Sequence, residues 1–334
     1  MKTHVTELTL ASFFTALALA AAEPGNLFRD PDLKSPDAWN APENVQSKPH
    51  SPSAGETADS ANFLAGKGRT TLQQKLSVKP DTWYILSFRF RSLGKYADPP
   101  RQPYNLMAGI LPEGATSIWS PALASRTFGG APVWNSGRVI FHSGKNSAVT
   151  PFAAFFGDGE WSISGLALRE ISEKDFQQNG VLDPGFETAQ PGMIPTDFRP
   201  TRSKGGKAAV TVSDQARTGK QVLEISFQGK FELIGSRFLL RAGETYTAGV
   251  YLKASAPVSV EMGIMGATPG NRTRAVRKAE IGTQWTRVEV KGVVRKNEGP
   301  VSALQLNLSF QAKDNAETTV WCDDVTFEHS APAK

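Results

Sequence analysis

The chain has 334 residues, with 37 Lys and Arg against 32 Asp and Glu, four His and one Cys. A single cysteine excludes an intramolecular disulfide, so the fold must rest on hydrophobic cores, and four His without paired spacing give no zinc pattern. The net charge of +5 is compatible with acidic glycans or anionic surfaces but too small a bias to mark a nucleic-acid binder.

Residues 1–22 read as a secretory signal. Lys2 and His4 open it, an apolar run extends from Leu8 to Leu19, and Ala20-Ala21-Ala22 offers a small-residue cleavage site. The expectation is an exported chain, secreted, periplasmic or at the cell surface. It has no integral membrane segment after signal cleavage, because no later stretch approaches the length of a bilayer span. Beyond residue 23, short alternating runs broken by Gly, Pro, Asn and Asp replace any helical period, the mark of an all-β sandwich or barrel. In the first half the alternation predicts strands at 82–91, 138–142, 151–156 and 161–169. In the first of these, Tyr84, Leu86, Phe88 and Phe90 form the apolar face. Between them lie a Pro-rich loop from Tyr96 to Tyr104 that includes Arg101, and a long stretch, 111–137, read as an insertion holding Trp119, Phe128 and Trp134.

In the second half, strands are predicted at 210–212, 221–227, 245–252, 258–264, 285–293 and 302–310. A last one, 319–327, is β-branched and aromatic, with Asp323 and Asp324 in its middle. Two acids inside a strand are unfavourable by propensity and desolvation. They are either solvated edge residues or a cation site built from oxygen ligands.

The halves repeat one another. Asn26-Leu27-Phe28-Arg29-Asp30-Pro31-Asp32-Leu33 parallels Gly180-Val181-Leu182-Asp183-Pro184-Gly185-Phe186, Lys79–Tyr84 parallels Arg241–Tyr246, and Trp161–Leu166 parallels the stretch around Trp321–Val325. The predicted organisation is a signal at 1–22, a divergent β-sandwich at 23–172, a linker at 173–178 and a second sandwich at 179–330.

Six segments of the second half carry a resemblance. Asn179-Gly180-Val181-Leu182-Asp183-Pro184-Gly185-Phe186-Glu187 comes first, followed by Ala216–Leu223, Ala242-Gly243-Glu244-Thr245-Tyr246-Thr247, Val250–Ala254, Thr283–Val288 and the 319–327 strand. In this order they resemble carbohydrate-binding modules of the jelly-roll group that includes families four, nine and twenty-two. The resemblance implies two tandem antiparallel jelly-roll (galactose-binding-like) sandwiches and a structural calcium ion where the first strand of a module meets the last. Glu187 and Asp323 or Asp324 would supply side-chain oxygens. Alternation puts Asp323 inward with Trp321 and Val325, which makes it the preferred ligand. In the first half, Lys34 stands for Glu187, Ser164 for Asp323 and Gly165 for Asp324, so calcium is expected in the second domain only.

Sugar recognition needs flat aromatic faces and a few polar side chains. Tyr251, Glu261, Gln305 and Asn307 on outward strand faces could line one concave sheet, or could simply face solvent. Tyr96, Arg101, Tyr104, Trp119 and Trp134, with Arg126 and Arg138 nearby, would suit a glycan, an acidic one especially, or could pin loops to the sandwich. The basic run Arg272–Lys278 reads as a solvated hairpin. Glu113, Asp158, Glu160, His50 and His142 form no recognisable acid–base pair. The reading is a non-catalytic protein that binds a polysaccharide or cell-surface glycan. Its rivals are a structural or adhesion sandwich with a protein partner and a polysaccharide-degrading enzyme.

Overall fold

The computed structural model describes residues 25–49, 62–92, 105–129, 131–172, 181, 183–189, 191–195, 197–202, 206–266, 274–295 and 301–330. The expected signal, the linker, and Tyr96, Arg101 and Tyr104 lie outside the described residues. No described helix is long and apolar enough to cross a membrane.

Ten strands come from the first half: β1 (Gln46–Pro49), β2 (Asn62–Lys67), β3 (Thr70–Gln73), β4 (Leu76–Ser77), β5 (Trp83–Ser92), β6 (Leu106–Pro112), β7 (Ala124–Phe128), β8 (Ala131–His142), β9 (Ala148–Phe155) and β10 (Glu160–Glu170). The second half supplies β11 (Arg199–Arg202), β12 (Lys207–Val212), β13 (Gln221–Gln228), β14 (Lys230–Arg241), β15 (Thr245–Ala254), β16 (Val258–Gly266), β17 (Arg274–Ile281), β18 (Thr286–Val293), β19 (Val301–Ala312) and β20 (Glu317–Ser330). All described pairs are antiparallel, and none joins a strand of one half to a strand of the other. Unit one stacks sheet A (β1-β2-β10-β5-β8) on sheet B (β3-β9-β6-β7, with β4 on β9). Unit two stacks sheet D (β12-β13-β20-β15-β18) on sheet C (β11-β14-β19-β16-β17).

Sheets A and D have the same strand order, so the repeat seen in the sequence is a repeat of topology. It extends to irregularities. In β10 the register against β5 slips between Ser164 and Ala167, and in β20 the register against β15 slips across Asp323–Thr326. The residue at the bulge is left-handed in both, Gly165 (φ 58) and Asp324 (φ 49), and the opening turns match as well, with Leu33 (φ 56) and Phe186 (φ 61). Ser164 and Gly165 therefore do stand where Asp323 and Asp324 stand.

Each unit has its own core. Leu64, Leu86, Phe88, Phe90, Phe128, Phe141, Ile163 and Leu168 fill the first; Leu223, Ile225, Phe231, Phe238, Val250, Leu308, Phe310 and Cys322 fill the second. The bulge corrects one expectation. Val320 and Cys322 point into the core, the extra residue resets the phase, and Val325 points in again, so Trp321 and Asp323 are on the outer face. Asp323 is fully buried all the same, because a loop covers it.

The stretch 111–137 is not an unstructured insertion. It contains the end of β6, all of β7 and the first half of β8, and the loop between β6 and β7 lies back on sheet B. Ile118 and Ala122 of that loop pack on Met107, Leu111, Phe152 and Ala154, closing the outer face of that sheet.

The two units meet along a seam. Ile85 and Ile140, on the outer face of sheet A, pack against Leu239 of β14. Arg126 of β7 forms a buried ion pair with Asp197, which also accepts the Ser236 hydroxyl at 3.1 Å. Arg237 Nη1 donates to the Ser125 carbonyl and Arg138 Nη2 to the Arg237 carbonyl, both at 3.2 Å. Burial, with Arg126 and Arg199 nearby, lowers Arg237 to about 9, so it stays charged at neutral pH. At Gly129 a Cβ would lie 2.0 Å from the Ile194 carbonyl oxygen, so only glycine lets the chains approach this closely. Arg126 and Arg138 thus serve the seam, which corrects their reading as glycan contacts.

Candidate functional site

The outer face of sheet A is divided. Its β5–β8 end is taken by the seam, and the end toward β1, β2 and β10 is open. Strand alternation sends Arg89 and Arg91 of β5, Trp134 of β8, Phe63 and Ala65 of β2, and Ser162 of β10 to this face. The rings of Phe63 and Trp134 meet edge to face, with centroids 5.7 Å apart. The Arg91 guanidinium lies beside the pair, its Cζ 5.8 Å from the Phe63 ring and 5.4 Å from the Trp134 ring, and Arg89 Cζ is 5.8 Å from Trp134. Arg91 Nε–H donates to Ser162 Oγ at 3.3 Å. Beside this cluster opens a depression of about 240 Å³, with Lys48, Lys67 and Glu160 among its lining residues.

The depression has a cause that the repeat makes visible. Register places Ala65 and Ser162 of unit one at the positions of Glu224 and Trp321 in unit two, and Arg91 at that of Lys253. In unit two the large side chains fill the face. Trp321 Nε1–H donates to Glu224 at 3.2 Å, and Lys253 lies 5.6 Å over the Trp321 ring with its ammonium 2.6 Å from Gln215 Oε1. Where unit two has an indole and a carboxylate, unit one has a hydroxymethyl and a methyl. The missing volume is the pocket.

The two sets of residues expected to form glycan surfaces, one in each half, are each divided in the structure. Trp134 is at the sheet A cluster. Trp119 is in the loop over sheet B, 63% exposed, with its ring 6.0 Å from Phe156, and the structure does not bring it to Trp134. Gln305, Asn307 and Glu261 do share the outer face of sheet C, where a smaller depression of about 160 Å³ is lined in part by Lys230, Glu232, Glu261 and Asn307. No described lining residue there is aromatic, and Glu261 is bridged by Arg274 (3.6 Å) and Lys278 (3.7 Å). Tyr251 is on the opposite sheet, D, with the Arg217 guanidinium 3.6 Å from its ring centroid. That corrects the expected single concave face. Phe63 and Arg91 went unassigned to this site, because β2 was not recognised and Arg91 read only as the polar side of a strand.

Of the three acids expected to hold calcium, two, Glu187 and Asp323, come together at Gly185, and Asp324 is engaged elsewhere. A Cβ on Gly185 would lie 3.7 Å from Asp323 Oδ1 and 3.8 Å from Glu187 Cγ. Asp323 accepts the backbone N–H groups of Arg217 (2.8 Å), Thr218 (3.2 Å) and Asp324 (2.8 Å). Asp324 pairs with the Arg217 guanidinium and accepts the Thr218 hydroxyl at 2.6 Å. Glu187 accepts the N–H groups of Lys220 and Gln221, each at 2.9 Å. Desolvation raises the Asp323 pKa above its ordinary value, against the three backbone donors that lower it. Glu187 and Asp323 suit a hard cation by charge and atom type; Asp324, engaged by Arg217, does not. Among the described residues, no group of three His, Cys, Asp or Glu side chains is arranged to hold a metal.

No protein-family profile matches the chain, and no curated protein matches it. Solved structures similar to it include the tandem CBM22-1–CBM22-2 domain of Xyn10C from Paenibacillus barcinonensis, at 14% identity and a TM-score of 0.34, covering 94% of this chain and 99% of that one. TmCBM61 in complex with β-1,4-galactotriose also matches at 14% identity and 0.34, over 44% of this chain and 96% of that one. A cyclase from Fischerella sp. TAU matches at 14% and 0.35, over 46% and 98%. At such identities and scores the side chains must carry the functional reading.

Proposed function

We propose that this chain is an exported protein that binds a polysaccharide or cell-surface glycan on the outer face of sheet A and does not cleave it. The observation that supports this is the pairing of Phe63 and Trp134 beside an open depression whose floor is Ala65 and Ser162. Two aromatic faces offer C–H stacking to a sugar, while Arg91, Lys48 and Gln46 offer donors and acceptors for hydroxyls. Glycosidic hydrolysis needs two positioned carboxylates, and the described lining of the depression contains one, Glu160. Export rests on the signal-like residues 1–22. The test is affinity electrophoresis and a glycan array with the full chain. Wild type should be retained, Trp134→Ala and Phe63→Ala should each weaken binding about tenfold, and Trp119→Ala should change it by less than about twofold. No retention of wild type on any glycan overturns the reading in favour of a protein partner.

We also propose that calcium, as the resemblance implies, binds in unit two through Glu187 and Asp323. Support comes from their convergence at Gly185 and from the absence of all three acids at the equivalent positions Lys34, Ser164 and Gly165. Because backbone N–H groups and Arg217 already meet these carboxylates, the ion adds to a corner that closes without it. Millimolar calcium should raise the thermal midpoint of wild type, and Glu187→Gln should abolish the rise. A midpoint indifferent to calcium assigns the corner to protein donors alone.

A further inference from the structure

Resting on the glycan reading above, we propose that the sugar bound on sheet A is anionic, carrying a carboxylate or a sulfate, and that Arg91 is the group that recognises it.

The charge on this face is lopsided. Among the described residues, Lys48, Lys67 and Arg91 line the depression against one carboxylate, that of Glu160. The equivalent face of unit two is balanced internally. Glu224 and Lys253 both contact Trp321 from either side, Gln215 takes the Lys253 ammonium, and Arg217 is matched by Asp324. Unit one lacks those internal partners at the equivalent positions, Ala65 for Glu224 and Gly165 for Asp324. The replacement of Glu224 by Ala65, one of the two that open the depression, therefore also removes a carboxylate from this face.

Arg91 is placed for recognition. Both rings lie within about 6 Å on one side of its guanidinium and Ser162 accepts from Nε–H, so part of its conformational freedom is already lost before binding. A planar guanidinium matches the two oxygens of a carboxylate or sulfate in a forked arrangement, and such charge-assisted bonds are about twice as strong as neutral ones. A neutral sugar needs the rings but not a cation fixed beside them. The half-buried guanidinium keeps part of its surface open to a ligand, and beside the rings it is less hydrated than in bulk water, which strengthens its attraction for an anion.

The experiment compares matched polymers in affinity electrophoresis with the full chain. Polygalacturonate is set against its methyl ester, and dextran sulfate against dextran. The expected result is at least about tenfold tighter retention by one acidic polymer than by its neutral partner, weakening in about 0.3 M salt. The arm that responds tells carboxylate from sulfate. Arg91→Gln, checked for an unchanged thermal midpoint, should remove the preference, and Arg91→Lys should restore part of it, while Trp134→Ala should weaken retention on the acidic and neutral polymers alike. Equal retention on acidic and neutral polymers refutes the anionic proposal and leaves the glycan reading standing. Acidic retention that survives Arg91→Gln but falls with Arg274→Gln/Lys278→Gln refutes it too, placing the effect on a general basic surface. No retention on any polymer refutes both.

Discussion

Asp323 is a carboxylate withdrawn from water at the point where β20 bulges, and three backbone N–H groups take the place of its hydration. Removing the acceptor leaves those donors buried and unpaired, so Asp323→Ala should cost about 3 kcal/mol, and Asp323→Asn, which keeps one acceptor oxygen, should cost less. The neighbouring residue supplies the measurement. Cys322 is the only cysteine, fully buried, and its thiol pKa is pushed up by burial and then by Asp323 and Asp324. In the native chain it should resist alkylation, and its labelling should report the opening of unit two alone. A loss of about 3 kcal/mol corresponds to labelling roughly a hundredfold faster. Rapid labelling of the wild type would show that β20 is not held as described.

At the scale of the strand, function and legibility share a cause. Clean period-two alternation made β5, β15 and β19 readable, because each has one face in a core and the other toward polar surroundings. β6 escaped because the β6–β7 loop covers its outer face, so both Ala108 and Met107 are buried and the alternation vanishes. β14 escaped for another reason. Phe231 and Leu233 face inward, the register slips between Ile234 and Arg237, and Phe238 and Leu240 face inward in the shifted phase. The same effect misplaced Trp321. It holds for Asp323 too, which alternation places inward and which is buried on the outer face under a loop. The sheet A site was not legible either, since it joins Phe63, Arg91 and Trp134 from strands whose register no local pattern gives. Small residues at Ala65 and Ser162 open that site, which suggests closing it by copying unit two. Ala65→Glu/Ser162→Trp should abolish glycan retention, more than about tenfold by affinity electrophoresis, with Arg91 still present. Retention unchanged in a folded variant would place the site elsewhere.

At the scale of the molecule, the described residues of the seam join the two sandwiches through a small apolar cluster and a buried ion pair. Ile85, Ile140 and Leu239 supply the apolar part, and Arg126 and Asp197 have side chains only 5% and 7% exposed. Such a pair adds little net stability compared with an apolar substitute, yet breaking one side of it is expensive, because the remaining charge stays buried. Arg126→Met should therefore cost about 3 kcal/mol, with Asp197 stranded near Ser236, and the double variant Arg126→Met/Asp197→Leu should recover much of it. Cys322 lies in unit two and Arg126 in unit one, so thiol labelling separates two consequences. If the seam couples the units, scanning calorimetry of Arg126→Met should split one transition into two, and Cys322 should label faster although nothing in its own unit has changed. If the units already unfold independently, wild type shows two transitions, the variant adds no further split, and labelling stays at the wild-type rate. The first outcome would mean that the open end of sheet A is held by unit two packed against its other end, with Arg138 and Ile140 gripped one step along β8 from the strand segment that carries Trp134.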